Sequence, residues 1–234
     1  MKLKNATALI TGGSHGIGFG IAKVLTDAGA KVAITGRNQQ KLSAAAKTLG
    51  ALAVRADVTN EADVERTYKE VLESLGHLDI LVNNAGFGIF KPLVEQDRAS
   101  FESVFATNVV GAMLMAREAA RHFIERGSGN IVNISSTSGL RGAANGSAYY
   151  GSKFALRGMT ECWRAELRKH NVRVFLVNPS EVLTDFAATS GRRQETNETK
   201  LRAEEIAHAV KGILEMDDRG FTPEITVFAT NPRD

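Results

Sequence analysis

Short runs of nearly unbroken apolar residues alternate along this chain with longer stretches in which apolar positions recur every three or four residues. The runs at 6–11 (ATALIT), 31–35 (KVAIT), 51–54, 79–82 (DILV), 130–134 (NIVNI), 172–177 (VRVFLV) and 224–228 (EITVF) have the length of strands. Most are apolar on both faces rather than alternating, the pattern of strands covered from two sides in a parallel sheet. Helical spacing fills the gaps at about 16–28, 38–48, 60–75, 98–126, 148–169 and 203–216. In the last of these, Ile206, Val210, Ile213 and Leu214 form an apolar stripe at i, i+4, i+7 and i+8. Asn60, just ahead of Glu61 and Asp63, is a good N-cap with acidic residues in the first turn. Strands alternating with helices predict a single α/β domain: a doubly wound, seven-stranded parallel sheet with helices on both faces. The polar stretch 184–200 (TDFAATSGRRQETNETK) is expected to form a flap before the last helix.

Composition narrows the classes. A chain of 234 residues can bury a large core without disulfides or metals. Its formal charge of +3 permits contact with an anion but is no clustered basic footprint, so nucleic acid is not an expected partner. Cys162 is the one cysteine, which excludes an internal disulfide and paired-cysteine zinc sites. The five histidines show no HExxH-type spacing, and no metal is expected. Apolar runs are strand-sized rather than the ~20 residues of a membrane helix. The opening residues also lack the apolar core of a signal peptide. A cytoplasmic protein without membrane contact is the expectation.

Candidate chemistry begins at the first strand–helix junction, where Thr11 is followed by Gly12, Gly13, Ser14, His15, Gly16, Ile17 and Gly18. Glycines there let the backbone turn sharply and approach a pyrophosphate, while the helix N-terminus offers free N–H groups and partial positive charge. Gly12, Ser14 and Gly16 also spell the G-x-S-x-G elbow of serine hydrolases. That alternative, with Ser14 as nucleophile, fails on position, because an elbow needs several strands before it. About 20 residues further on, a dinucleotide site that takes NAD carries a carboxylate for the ribose 2′-hydroxyl. This chain has Arg37 instead. A guanidinium can hold a 2′-phosphate through two N–H bonds, each worth roughly 1.5–3 kcal/mol, so the expected cofactor is NADP(H).

Further motifs continue in order: Asp57-Val58 after the third strand, NNAG at 83–86 after the fourth, Asn108 within a long helix, ISS ending at Ser136, Tyr149-x-x-x-Lys153, and Asn178-Pro179 after the sixth strand. With TGGSHGIG at 11–18, this series resembles the short-chain dehydrogenase/reductase family across nearly the whole chain. The resemblance implies a Rossmann-like fold and a nicotinamide-dependent oxidoreductase with a tetrad of Asn108, Ser136, Tyr149 and Lys153. It places the adenine by Asp57 and Val58, and Asn84, Ala85 and Gly86 beside the cofactor. Pro179, Val182 and Thr184 match positions that contact the carboxamide and pyrophosphate. Within it, Ser136 and Tyr149 bind a substrate carbonyl, Lys153 holds the nicotinamide ribose, and Asn108 shapes a bulge that orders a proton-relay water.

Physical chemistry supports these assignments. Tyr149 and Lys153 lie four apart and share a helix face. A neighbouring ammonium favours phenolate, as a proton-donating tyrosine needs. Tyr150 has Phe154 four residues on and so lacks the lysine. Strand alternation turns Ser135 away from the side that Ser136 faces.

Two features depart from the family pattern. His15 stands where many NADPH-using relatives have Arg or Lys, and where many read Pro-Gly this chain has Pro179-Ser180, followed by the unusual charge of Glu181. The chain is similar to the 3-oxoacyl-(acyl-carrier-protein) reductase branch of the family. The expected reaction is NADPH-dependent reduction of a small carbonyl compound or acyl thioester, with acyl carrier protein as a candidate partner through Arg141, Arg192 and Arg193. A homodimer or homotetramer is expected, the dimer built on the helices at 98–126 and 148–169. The competing reading is a non-catalytic NADP(H)-binding sensor or scaffold, which has no need for Tyr149 and Lys153 together. Cys162 and Trp163 are expected in core or interface packing.

Overall fold

The computed structural model describes residues 1–184, 186 and 199–231. Most of the expected flap, and with it Arg192 and Arg193, lies outside these residues. Seven strands form one parallel sheet: β1 (Thr7–Ile10), β2 (Lys31–Gly36), β3 (Leu52–Arg55), β4 (Ile80–Asn83), β5 (Gly129–Ile134), β6 (Val172–Pro179) and β7 (Glu224–Val227). Their order across the sheet is β3-β2-β1-β4-β5-β6-β7, with every neighbouring pair parallel. The chain winds outward from β1 in one direction and from β4 in the other. This reversal opens a crevice at the carboxyl ends of β1 and β4, where open α/β sheets bind ligands.

Helices α1 (Gly16–Asp27), α2 (Gln39–Leu49), α3 (Glu61–Leu75), α4 (Arg98–Phe105), α5 (Ala112–Arg126), α6 (Ser147–Leu167) and α7 (Ala203–Glu215) cover the two faces. Alternation along the strands sorts side chains into two cores. Ala8 and Ile10 of β1 join Ile21, Leu25, Leu42, Val210 and Leu214 on the side of α1, α2 and α7. Leu9 joins Val64, Val71, Leu114, Met115 and Phe123 on the side of α3 and α5.

Local chemistry sets the helix ends. Asn38 and Asn60 accept the Lys41 and Asp63 N–H groups at 3.0 and 3.1 Å, satisfying first-turn donors of α2 and α3. Gly50 and Gly127 end α2 and α5 in the left-handed region, at φ 64° and 66°.

The helix expected over 98–126 is continuous but not uniform. Residues Ala106–Gly111 form a π turn between α4 and α5, a departure that concentrates at functional sites. Helix α5 buries Leu114, Met115, Ala119 and Phe123 against the sheet. A buried polar chain ties the centre together: Asn83 donates to Asn133 (3.0 Å), which donates to Thr160 of α6 (2.8 Å). Of the core or interface packing expected for Cys162, the core half is corrected here. Cys162 is exposed, because it lies on the outer face of α6, while Trp163 beside it packs on the α3–α5 core.

Candidate active site

The glycine turn after β1 is built from backbone shape. Gly12 has φ +64° and Gly16 φ +57°, a region strained for residues with a Cβ. His15 precedes α1 without a side-chain cap, leaving first-turn N–H groups for a ligand. The loop after β4 is stitched to this turn. Thr11 Oγ1 accepts from the backbone N–H of Asn84 and of Ala85, both at 3.0 Å, and Asn84 Nδ2 donates to the carbonyls of Thr11 (2.9 Å) and Gly12 (3.2 Å).

Gly18 lies directly beneath this junction. A Cβ there would stand 2.4 Å from Asn84 Nδ2 and 2.5 Å from the Gly12 carbonyl oxygen. Gly18→Ala is therefore expected to lower stability by about 1–3 kcal/mol and to weaken nucleotide binding. Thermal melts and a nucleotide titration check this; an unchanged melting temperature contradicts it.

Beside the turn opens a cavity of about 640 Å³, within the range of small-molecule and cofactor sites. Its first wall is the turn and the β4 loop: Gly12, His15, Gly16, Ile17, Asn84, Ala85 and Gly86. Ser136, Tyr149 and Lys153 line it from β5 and α6, and Pro179, Val182 and Thr184 from the end of β6. Residues spread over more than 170 positions thus meet at the sheet's reversal point.

Within the cavity, Lys153 is 6% exposed. Its Nζ donates to the Ile134 carbonyl at 2.9 Å and lies 5.7 Å from the centre of the Tyr149 ring. Burial pushes the Lys153 ammonium down from 10.5 to about 8, since a low-dielectric setting disfavours the charged form. The Tyr149 ring packs against Phe90, Phe186 and, edge-on, Tyr150, with centroids 5.5, 5.3 and 6.1 Å away. Ser136 Oγ accepts the Ser138 N–H at 3.1 Å, keeping its own proton available to donate. Ser135 Oγ instead donates to the Lys153 carbonyl (3.4 Å), and Ser135 lines the cavity alongside Ser136.

Asn108 sits in the π turn, 2% exposed. Its Oδ1 accepts the Phe87 N–H (3.0 Å), and its Nδ2 donates to the Phe87 carbonyl and to Ser152 Oγ, both at 2.9 Å. Ser152 in turn donates to the Tyr149 carbonyl at 2.7 Å. Asn108 therefore clamps the loop after Gly86 to the first turns of α6, which carry Tyr149 and Lys153.

The family model described as short chain dehydrogenase matches residues 6–195. The chain belongs to this family. An oxidoreductase of Sarocladium schorii is 38% identical over 188 residues, covering 80% of this chain and 76% of its own. The crystal structure of a 3-ketoacyl-(acyl-carrier-protein) reductase from Brucella melitensis complexed with NADH is similar at a TM-score of 0.91 and 30% identity, covering 97% of this chain and 98% of that one. An alcohol dehydrogenase from Thermococcus sibiricus complexed with 5-hydroxy-NADP gives 0.89 and 28%, covering 98% of each chain. The short-chain dehydrogenase fold, an oxidoreductase scaffold with nucleotide-bound structural neighbours, is thus established for this protein.

Several expected residues stand outside the cavity lining. Ser14 Oγ pairs with His15 Nδ1 at 3.0 Å. Arg37 is exposed at the end of β2, its carbonyl accepting from Arg55 Nε at 3.3 Å. Asp57 closes its own turn, Oδ1 accepting from Thr59 N–H (3.0 Å) and Oγ1 (2.8 Å). Its backbone N–H donates to Asp63, whose carboxyl this bond and Arg66 hold below the usual carboxylate range. Val58 is buried against Gly111 of the π turn, where a Cβ would come within 2.6 Å of Val58 Cγ2. Arg55 and Lys200 are functional candidates that motif reading missed. Arg55 is betrayed only by the pairing of Gly36 with Arg55 across β2 and β3.

Proposed function

We propose that this short-chain dehydrogenase reduces a ketone or aldehyde to an alcohol with NADPH. The observation carrying the proposal is the convergence of Ser136, Tyr149 and Lys153 on the cavity that begins at the glycine turn. The residues fit a dinucleotide: an uncapped helix start, a turn with no room for Cβ atoms, and a cation at the end of β2. When bound, reduced nicotinamide supplies the hydride.

The protein's part is positioning and proton transfer. Ser136 Oγ donates to the substrate carbonyl oxygen and stabilises the charge that develops there. Tyr149 transfers its phenolic proton to that oxygen, and Lys153 stabilises the resulting phenolate. Asn108 acts through others, holding the Phe87 loop and Ser152 in register and ordering water for the relay that returns a proton to the site. Asp57 and Val58 form the adenine side, and Thr184 faces Gly16, whose absent Cβ would lie 3.4 Å from Thr184 Cβ.

The likeness to the Brucella melitensis 3-ketoacyl-(acyl-carrier-protein) reductase supports a 3-oxoacyl thioester as the substrate class, and the aromatic rings around Tyr149 suit an apolar group beside the carbonyl. Acyl carrier protein remains a proposed donor of that thioester. Half-exposed Val110 and Phe154 (44% and 45%) lie on the helices proposed to build a homodimer, and a cytoplasmic setting is proposed with it. An NADPH-oxidation screen over acetoacetyl thioesters, aryl ketones, diketones and sugars tests the reading. No turnover with any of them would overturn it.

Cofactor choice has its own test. Arg37→Ala is expected to reduce the NADPH-over-NADH preference in kcat/KM by about tenfold or more, the loss of one charge-assisted contact. An unchanged ratio would reject Arg37 as the phosphate ligand.

A further inference from the structure

The cavity contains an ion pair that none of the roles above uses. Lys200 Nζ lies 3.1 Å from Glu181 Oε2; the lysine side chain is only 10% exposed, the glutamate 64%. Both residues line the cavity together with Gly16, Ile17 and Thr184. Their placement comes from a single parallel bridge, Val182 with Leu201, reinforced by the Leu183 N–H donating to the Leu201 carbonyl at 2.7 Å.

This bridge seats both segments on α1. Gly16 and Gly20 are one turn apart on α1 and share a face. A Cβ on Gly16 would meet Thr184 Cβ at 3.4 Å, and one on Gly20 would meet Ala203 Cβ at 2.9 Å. Lys200 lies between Thr184 and Ala203 in sequence and lines the same cavity as Gly16 and Ile17 at the start of α1.

An ammonium has three donors, and among the described residues Glu181 is the one ion-pair partner of Lys200. The glutamate is mostly in water, so the pair itself contributes little stability. Among the described residues, the glycine-turn part of the lining, Gly12, His15, Gly16 and Ile17, carries no Lys or Arg.

We infer that Lys200 is a ligand of the cofactor diphosphate and that Glu181 is its competitor, holding the ammonium in the nucleotide-free protein and releasing it when the dinucleotide binds. The inference rests on the nucleotide reading of the site. The two departures from the family pattern, His15 and Glu181, then have a shared consequence: the diphosphate charge is met from the β6 side rather than from the glycine turn, at an affinity that Glu181 reduces.

Calorimetric titration with NADP⁺ and with adenosine 2′-monophosphate, which has no diphosphate, tests this. Lys200→Met is expected to weaken NADP⁺ binding about tenfold and to leave the monophosphate within about twofold. Lys200→Arg retains the affinity. Glu181→Gln moves the other way, tightening NADP⁺ about threefold by freeing the ammonium, and carries the inference if Lys200→Met does not fold. Equal NADP⁺ affinity in Lys200→Met and wild type overturns the inference, as does weaker binding by Glu181→Gln, which would make the pair a brace for the 182–201 bridge. Failure of wild type to bind any nicotinamide nucleotide would instead overturn the cofactor reading, and the inference with it.

Discussion

Tyr149→Phe is expected to leave a folded, nucleotide-binding protein whose carbonyl reduction is about 10²–10⁴-fold slower, the contribution of a positioned general acid. The substitution removes one oxygen and keeps the ring. That ring is buried, 9% exposed, and packed by Phe90, Phe186 and Tyr150, so stability and substrate fit change little. The loss should therefore fall on kcat, with KM and nucleotide affinity nearly unchanged. Tyr150→Phe is the matched control: its ring lies edge-on to Tyr149, without a lysine four residues on, and its hydroxyl is outside the proposed proton path. Steady-state kinetics and melting curves on both variants decide the matter. Wild-type turnover by Tyr149→Phe would remove the tyrosine from the chemistry.

Lys153→Met carries the second large effect, and it separates activity from stability. Activity should fall about 10²-fold or more, because the charge that stabilises the phenolate is gone. Stability of the nucleotide-free protein should respond in the other direction at neutral pH. Burial lowers the Lys153 ammonium from 10.5 to about 8. Below pH 8 the lysine is charged whether the chain is folded or not, and the folded state bears the cost of burying that charge. Between pH 8 and 10.5 the folded protein releases its proton while the unfolded chain still holds it. The unfolded state then binds more protons, so stability rises with pH. Relative to Lys153→Met, wild type should gain up to about 1.4 kcal/mol per pH unit across that window. Denaturant unfolding of both proteins from pH 7 to 10 reads the difference directly. Parallel curves would mean that Lys153 binds its proton equally in the folded and unfolded chains, and the cost assigned to burying its charge would be rejected.

Much of this architecture is legible in the chain itself. The strands of a doubly wound sheet are buried on both faces, so apolar runs such as ATALIT and VRVFLV mark them almost to the residue, and Asn60 marks a helix start by local chemistry. Ser136, Tyr149 and Lys153 were named by the family resemblance, and the four-residue spacing of Tyr149 and Lys153 on one helix face agrees with it. Asn108 was visible only through family resemblance, since an asparagine in a helix carries no signal of the π turn around it. That Cys162 lies outside the core of the chain was not legible, because one cysteine on an amphipathic helix does not report its own phase. Lys200 escaped notice for a different reason. It reaches the cavity through one bridge between short segments, Val182 with Leu201, and such a contact has no periodicity to betray it. Arg55 belongs to the same class, since it is neighbour to Arg37 only through sheet pairing.

The π turn at Ala106–Gly111 has a bearing on the geometry of the whole 98–126 helix. One turn of this kind accommodates an additional residue, so the α-helical phase on either side differs by about 100°. Two positions that a uniform 3.6-residue period would align, one in α4 and one in α5, therefore face different neighbours. The outer stripe offered by α4 and the stripe that α5 lays on the sheet are set independently, with Asn108 at the joint. Any graft of this helix onto another scaffold has to carry the extra residue along, or the Asn108 clamp on Phe87 and Ser152 and the core-facing stripe cannot both be in register.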